Sequence, residues 1–76
     1  MSERAQLERL LDAADNARST MLLAYDELIF GGNWEVARAR IAESGERLEK
    51  VMTTVERTLG RTQPRLSFAA CLELRK

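Results

Sequence analysis

Pairs of carboxylates are the residues of this sequence that come closest to a catalytic pattern. Asp12 lies three residues before Asp15, and Asp26 is followed directly by Glu27. Two carboxylates act as a general acid and a general base only in a pocket that raises the pKa of one of them. All four fall on the polar side of a predicted helix, where water solvates them. We therefore expect no acid–base site at these positions.

Other reactive groups are few. The sequence contains no histidine, which excludes imidazole catalysis and histidine-ligated metal sites. Cys71 is the single cysteine, so it forms no disulfide within the chain and has no histidine as a base. Gly31-Gly32 lacks the lysine and hydroxyl residue that complete a phosphate-binding loop. We predict that the chain is not an enzyme and that it binds no cofactor and no metal ion.

Glycine divides the first part of the sequence into two long helical segments. Gly31-Gly32 separates residues 3–30 from residues 33–59, and neither segment contains proline. Both are rich in Ala, Leu, Glu and Arg, which favour helix. Two helices of similar length joined by a two-glycine turn predict an all-α fold, with an antiparallel two-helix hairpin over residues 1–60.

Capping residues mark the predicted helix ends. Ser2 and Asn33 precede the two helices and can accept a hydrogen bond from the first turn. Gly31 or Gly32 can supply the left-handed residue that ends the first helix, and Gly60 the one that ends the second. Inside the second helix, Gly45 predicts either a bend or a close approach by another helix, because glycine there costs about 1 kcal/mol relative to alanine.

The first helix has a wider apolar stripe than one neighbouring helix covers. Apolar residues at spacings of three and four form a heptad seam, as in a coiled coil: Leu7, Leu10, Ala14, Ala17, Met21, Ala24 and Leu28. Leu11, Leu22 and Ile29 lie beside this seam and widen the stripe to roughly 160°. Leu23 and Phe30 lie on the opposite side of the helix. Surplus apolar surface of this kind usually marks a contact site.

We expect another protein chain to cover that surplus surface. A chain of 76 residues without a disulfide seldom buries enough core to be stable alone. The candidate interface residues are Leu11, Leu22, Tyr25, Ile29, Trp34 and Met52. For two of them the favoured interpretation is packing within the hairpin, Trp34 over its end with Phe30 or Tyr25 and Met52 in its core, and a place in the interface is the alternative. A different protein is the favoured partner, and a second copy in a homodimeric helical bundle is the alternative.

The tail, residues 61–76, allows three structures. From Leu66 to Leu74 the apolar residues alternate with others, which is typical of a strand that pairs with another chain. Its composition favours a short third helix, which Ser67 can cap, or a loosely ordered segment. If the tail folds back, it covers part of the surplus stripe.

Charge is distributed unevenly although the total is zero. Residues 1–30 carry three basic and six acidic side chains (−3), residues 31–60 carry five of each, and residues 61–76 carry four basic and one acidic (+3). Four basic residues favour a solvated terminus over contact with RNA, an anionic membrane or an acidic partner, so we predict no nucleic-acid binding. No apolar run approaches the ~20 residues that span a bilayer. The polar N-terminus is unlike a signal peptide, which predicts a cytoplasmic location.

The arrangement resembles one known family. A first helix rich in Leu and Ala, the Gly31-Gly32 turn and an aromatic residue soon after it at Trp34 are similar to the small co-chaperones of type III secretion needle subunits. The resemblance covers residues 7–59, and the tail from Arg61 has no counterpart. It implies a chaperone or adaptor subunit that pairs with a tetratricopeptide-like chaperone and keeps a needle subunit soluble, with contacts from the apolar faces of both helices.

Overall fold

Three helices make up the fold. The computed structural model describes residues 2–32 and 34–75, which form α1 (Glu3–Gly31), α2 (Glu35–Leu59) and α3 (Phe68–Glu73). The two long helices pack against each other as a hairpin, and none of the described residues belongs to a strand. The all-α hairpin with a short third helix is therefore confirmed.

A serine cap and a glycine bound α1. The Oγ of Ser2 accepts a hydrogen bond of 3.2 Å from the N–H of Ala5, as predicted. The helix ends at Gly32, whose φ of 96° is disfavoured for residues with a Cβ. The predicted cap of α2, Asn33, lies outside the described residues. Trp34 directly precedes α2, and its side chain makes no capping hydrogen bond.

A Schellman motif ends α2. Gly60 has the left-handed conformation that was predicted for it, with φ 72° and ψ 21°. Its N–H donates to the carbonyl of Arg57, and the N–H of Arg61 donates to the carbonyl of Glu56. The chain therefore leaves the end of α2 in a new direction and turns back along the hairpin.

The tail forms a short helix on the hairpin. Residues 61–67 have no regular structure, and α3 follows them. The Oγ of Ser67 accepts a hydrogen bond of 3.1 Å from the N–H of Ala70, so Ser67 is the cap that the sequence indicated. The six residues of α3 are too few to be stable as an isolated helix. Packing against the hairpin therefore holds α3 in place.

The apolar core has two parts. The distal core lies away from the interhelical turn and contains Leu11, Ala14, Met52, Val55 and Leu59. The groove core joins α1 to α3, with half-buried residues of α2 packed against it, and contains Leu22, Tyr25, Phe68, Cys71 and Leu72. Because three of the five residues of the groove core come from the tail, the hairpin alone does not complete it.

The row of α1 that is buried differs from the predicted seam. Leu11 and Leu22 face the core, although we expected them to be surplus. Leu10 of the seam is 47% exposed, and Ala14 is the only seam residue that is buried. At 100° per residue, the centre of the buried row lies about 70° around the axis of α1 from the centre of the predicted seam. Around Leu22 and Tyr25 the cause is α3, which packs on that side of α1, whereas Leu11 is buried in the distal core against α2.

Candidate binding surfaces

The six predicted interface residues do not share one surface. Four of them are at most 9% exposed: Leu11, Leu22, Tyr25 and Met52. Ile29 is half-buried against the groove core, and Trp34 alone is mostly exposed. Met52 lies in the distal core, which was the favoured interpretation for it. The sequence patterns left open whether the tail folds back, and they did not predict that the tail would cover this side of α1.

The front groove is the channel between α1 and α2 that α3 fills. Leu22 and Tyr25 line it from α1, and Ile41 and Gly45 line it from α2. Phe68 is completely buried there. A Cβ at Gly45 would lie 2.1–2.4 Å from three atoms of the Phe68 ring, which is far inside van der Waals contact. Gly45 therefore marks a close approach and forms a socket for an aromatic ring.

Charged side chains surround this socket. A carboxylate oxygen of Glu49 accepts a hydrogen bond from the N–H of Phe68, at the start of α3. The guanidinium of Arg18 donates to the carbonyl of Leu66 over 2.5 Å and lies 6.0 Å from the centroid of the Phe68 ring. The same group is 3.5 Å from the Sγ of Cys71. Glu49 and Arg18 thus position the backbone and the aromatic ring of the segment that enters the groove.

Glu56 fastens residues 61–67 to α2. Its side chain is buried, accepts a hydrogen bond of 2.9 Å from the N–H of Gln63 and forms an ion pair with Arg65. The hydrogen bond from Gln63 lowers the pKa of Glu56 below its ordinary value of 4.5, and Arg65 lowers it further, whereas burial opposes both. The carboxylate is therefore stabilised in its charged form.

This pKa makes the fold sensitive to acid. Because the pKa of Glu56 is lower in the folded chain than in the unfolded chain, its contribution to stability is present above pH 4.5 and is lost as the pH falls through the folded value. We expect Glu56→Gln to lower the unfolding free energy by about 1–3 kcal/mol at pH 7 and by less at pH 3. Urea unfolding of both chains at several pH values measures this, and a difference that does not change with pH would contradict it.

A second ion pair ties the end of the tail to α1. The Nε of Arg75 lies 2.5 Å from a carboxylate oxygen of Asp26, and both side chains are about two-thirds buried. Arg65 is also paired, with Glu56. Two basic side chains of the tail therefore contact acidic side chains of the hairpin. Part of the uneven charge noted in the sequence therefore forms ion pairs within the folded chain.

The back face is the side of the hairpin opposite α3. We define it by Leu10, Ala17, Ala24 and Leu28 of α1 and by Val51 of α2. On α1 these side chains lie about 120° around the helix from the row that contacts the tail, and on α2 the separation is about 140°. Leu10 and Val51 are 47% and 46% exposed, and the other three are half-buried. The predicted seam is thus only partly covered.

A third apolar area lies at the interhelical turn. Phe30 is 91% exposed, Trp34 57% and Val36 70%, while Leu23 on the outer side of α1 is 65% exposed. Atoms of the Trp34 indole lie 3.7 Å from the position that a Cβ of Gly31 would take. Trp34 therefore packs beside the turn without being buried in it.

We expect Trp34→Ala to lower the unfolding free energy by less than about 1 kcal/mol, since more than half of the side chain is in water. Urea unfolding followed by far-UV circular dichroism measures this change. A loss above about 2 kcal/mol would show that the ring stabilises the turn more than its exposure indicates.

The carboxylates that first suggested chemistry lie in solvent or in ion pairs. Asp12 and Asp15 are exposed and line an open cleft with Arg18 and Arg65. Glu27 is exposed, and Asp26 pairs with Arg75. Within residues 2–32 and 34–75, no group of three or more potential metal ligands is assembled. In the same part of the chain, no helix combines the length and apolar character needed to cross a membrane.

Comparisons with known proteins identify no relative. No family model matches the chain, and neither a curated protein nor a solved structure is significantly similar to it. Any function of the chain therefore has to be inferred from the exposed surfaces of its described residues.

Proposed function

We propose that this chain is a helical protein-binding module, of the adaptor or chaperone type, which places its back face against a helix of a partner protein. The observation that supports this most is the partly uncovered seam of α1. Leu10, Ala17, Ala24 and Leu28 recur at heptad-compatible spacing, and Val51 continues the strip onto α2. A strip of this pattern fits the apolar side of an amphipathic helix.

The residue types of the strip define the partner further. Ala17 and Ala24 leave space for a close helix approach, whereas Leu10 and Leu28 project near the two ends of the strip. A partner helix with large apolar residues opposite the alanines would complete a knobs-into-holes contact. The resemblance to co-chaperones of type III secretion needle subunits agrees with such a role. That relationship, like the cytoplasmic location, is part of the proposal.

The test places a photo-reactive amino acid at position 10 or at position 23 of the full chain in the cells that produce it. Leu10 lies on the back face, and Leu23 is an equally apolar, exposed residue on the outer side of α1. We expect an adduct at position 10 that is absent or much weaker at position 23. Equal labelling at the two positions, or none at either, would contradict the proposal.

Self-association is the second candidate function. The strip contains residues from both long helices, so two copies can pack their back faces together as a four-helix bundle. The mass of the adduct separates the candidates, because a second copy adds a further 8.6 kDa to the chain. Any other added mass indicates a different protein. Light scattering on the purified chain gives an independent measurement of the same distinction.

Substitution of the same two leucines gives a further prediction. We expect Leu10→Glu to weaken the complex at least tenfold, about 1.4 kcal/mol, because a carboxylate would be buried without a partner. Leu23→Glu should leave the affinity unchanged, and both variants should keep the fold because both positions are exposed. Titration of the crosslinked partner with each variant measures this, and equal affinities would show that Leu10 is outside the interface.

A further inference from the structure

The tail occupies the front groove in the way that a short helical ligand occupies a receptor. Phe68, Cys71 and Leu72 face the hairpin at spacings of three and one, which is the pattern of one side of a helix. Phe68 enters the socket at Gly45, and Glu49 accepts the hydrogen bond of its N–H. Recognition of α3 thus uses an aromatic anchor, an apolar side and a capped helix start.

Charge complementarity accompanies this recognition. Acidic groups of the hairpin, Asp26, Glu49 and Glu56, contact the tail, and two of them pair with its Arg75 and Arg65. The tail carries a net charge of +3, and residues 1–30 carry −3. The groove therefore favours a basic segment.

The fit of α3 is incomplete at both ends. Leu66 precedes α3 and is 57% exposed, and Leu74 follows it and is 73% exposed. The Nε atoms of Arg18 and Arg65 are buried and find no acceptor among the described residues. An incompletely satisfied donor weakens a bound state. A longer helix with an acceptor near Arg18, the one of these two residues that belongs to the hairpin, would bury more apolar surface and pair its donor.

We propose that the front groove is a second binding site, for a basic amphipathic helix of a partner protein with an aromatic anchor residue, and that α3 is its built-in competitor. Residues 61–67 tether α3 without regular structure, so release of α3 leaves the long helices connected as before. The tether gives α3 a high effective concentration at the groove. A partner helix binds when its affinity exceeds this intramolecular competition. The proposal does not depend on the back face.

The test titrates a fluorescent peptide with the sequence of residues 61–76 against three full-length chains: wild type, Phe68→Ala, and Phe68→Ala combined with Gly45→Leu. The first substitution weakens the competitor, and the second fills the socket. We expect the peptide to bind Phe68→Ala on the order of tenfold or more tighter than wild type. The double variant should lose this gain, because the aromatic ring of the peptide has no space.

Native-state hydrogen exchange of the wild-type chain tests the same proposal without a substitution. The amides of α3 should exchange at least about 100-fold faster than those of the distal core, since α3 opens while the hairpin stays folded. Exchange of α3 and hairpin amides at one common rate would overturn the proposal. Equal peptide affinity of wild type and Phe68→Ala, or full binding by the double variant, would overturn it as well. A wild-type dimer that exchanges its α3 helices would show that a second copy, and not a different protein, occupies the groove.

Discussion

Replacing Phe68 with alanine should lower the free energy of unfolding by about 3–5 kcal/mol, the usual cost of removing a buried aromatic side chain. Phe68 is completely buried and joins α3 to both long helices through Leu22 and Gly45. Urea unfolding at neutral pH measures the loss, with helicity followed by circular dichroism.

Leu66→Ala is the matched control for this substitution. Leu66 lies two residues before Phe68 and is 57% exposed, so its truncation should cost less than about 1 kcal/mol. Loss of Phe68 should release α3 while the long helices keep most of their helicity. If the two variants lost similar amounts of stability, the groove core would not depend on the aromatic anchor.

Gly45→Leu should destabilise the chain by about 2–4 kcal/mol, although leucine favours helix more than glycine does. The gain in helix propensity is only about 1 kcal/mol. A Cβ at position 45 would lie 2.1–2.4 Å from atoms of the Phe68 ring, so a leucine there expels the ring. The loss of unfolding free energy is then roughly that of Phe68→Ala. Chemical unfolding measures the net change, whose sign is opposite to that expected from propensity alone.

Ser44→Leu tests whether the effect is specific to the socket. Ser44 is the exposed neighbour of Gly45 on the same helix, and leucine there should change stability by less than about 0.5 kcal/mol. In the Phe68→Ala background, Gly45→Leu should cost much less than in the wild type, because the ring that it displaces is already absent. Additive losses in the two backgrounds would show that the residues are not coupled.

The sequence was sufficient to predict the two long helices because their signals are local, whereas it left the tail open between a strand, a short helix and a loosely ordered segment. The caps at Ser2 and Ser67 and the left-handed turn at Gly60 depend on one residue and its nearest neighbours. The same is true of the two long helices, which composition and spacing predict. Asn33 is the one predicted cap that lies outside the described residues.

The buried side of α1 could not be predicted in the same way. A stripe about 160° wide can turn either of its edges towards the core, and the choice depends on where the tail packs. Two signals pointed to α3: Gly45 inside a helix that otherwise favours residues with higher propensity, and the opposite net charges of residues 1–30 and 61–76. Neither signal shows which residue of the tail packs against Gly45; only the structure shows that it is Phe68.

Completion of the groove core by Phe68, Cys71 and Leu72 has a consequence for biosynthesis. A ribosome delivers the two long helices first, and the hairpin can begin to fold as they emerge. Leu22 and Tyr25 then face water until residue 72 has left the exit tunnel. Each newly made molecule therefore passes through an interval in which a nascent-chain-binding factor, rather than α3, can shield this channel.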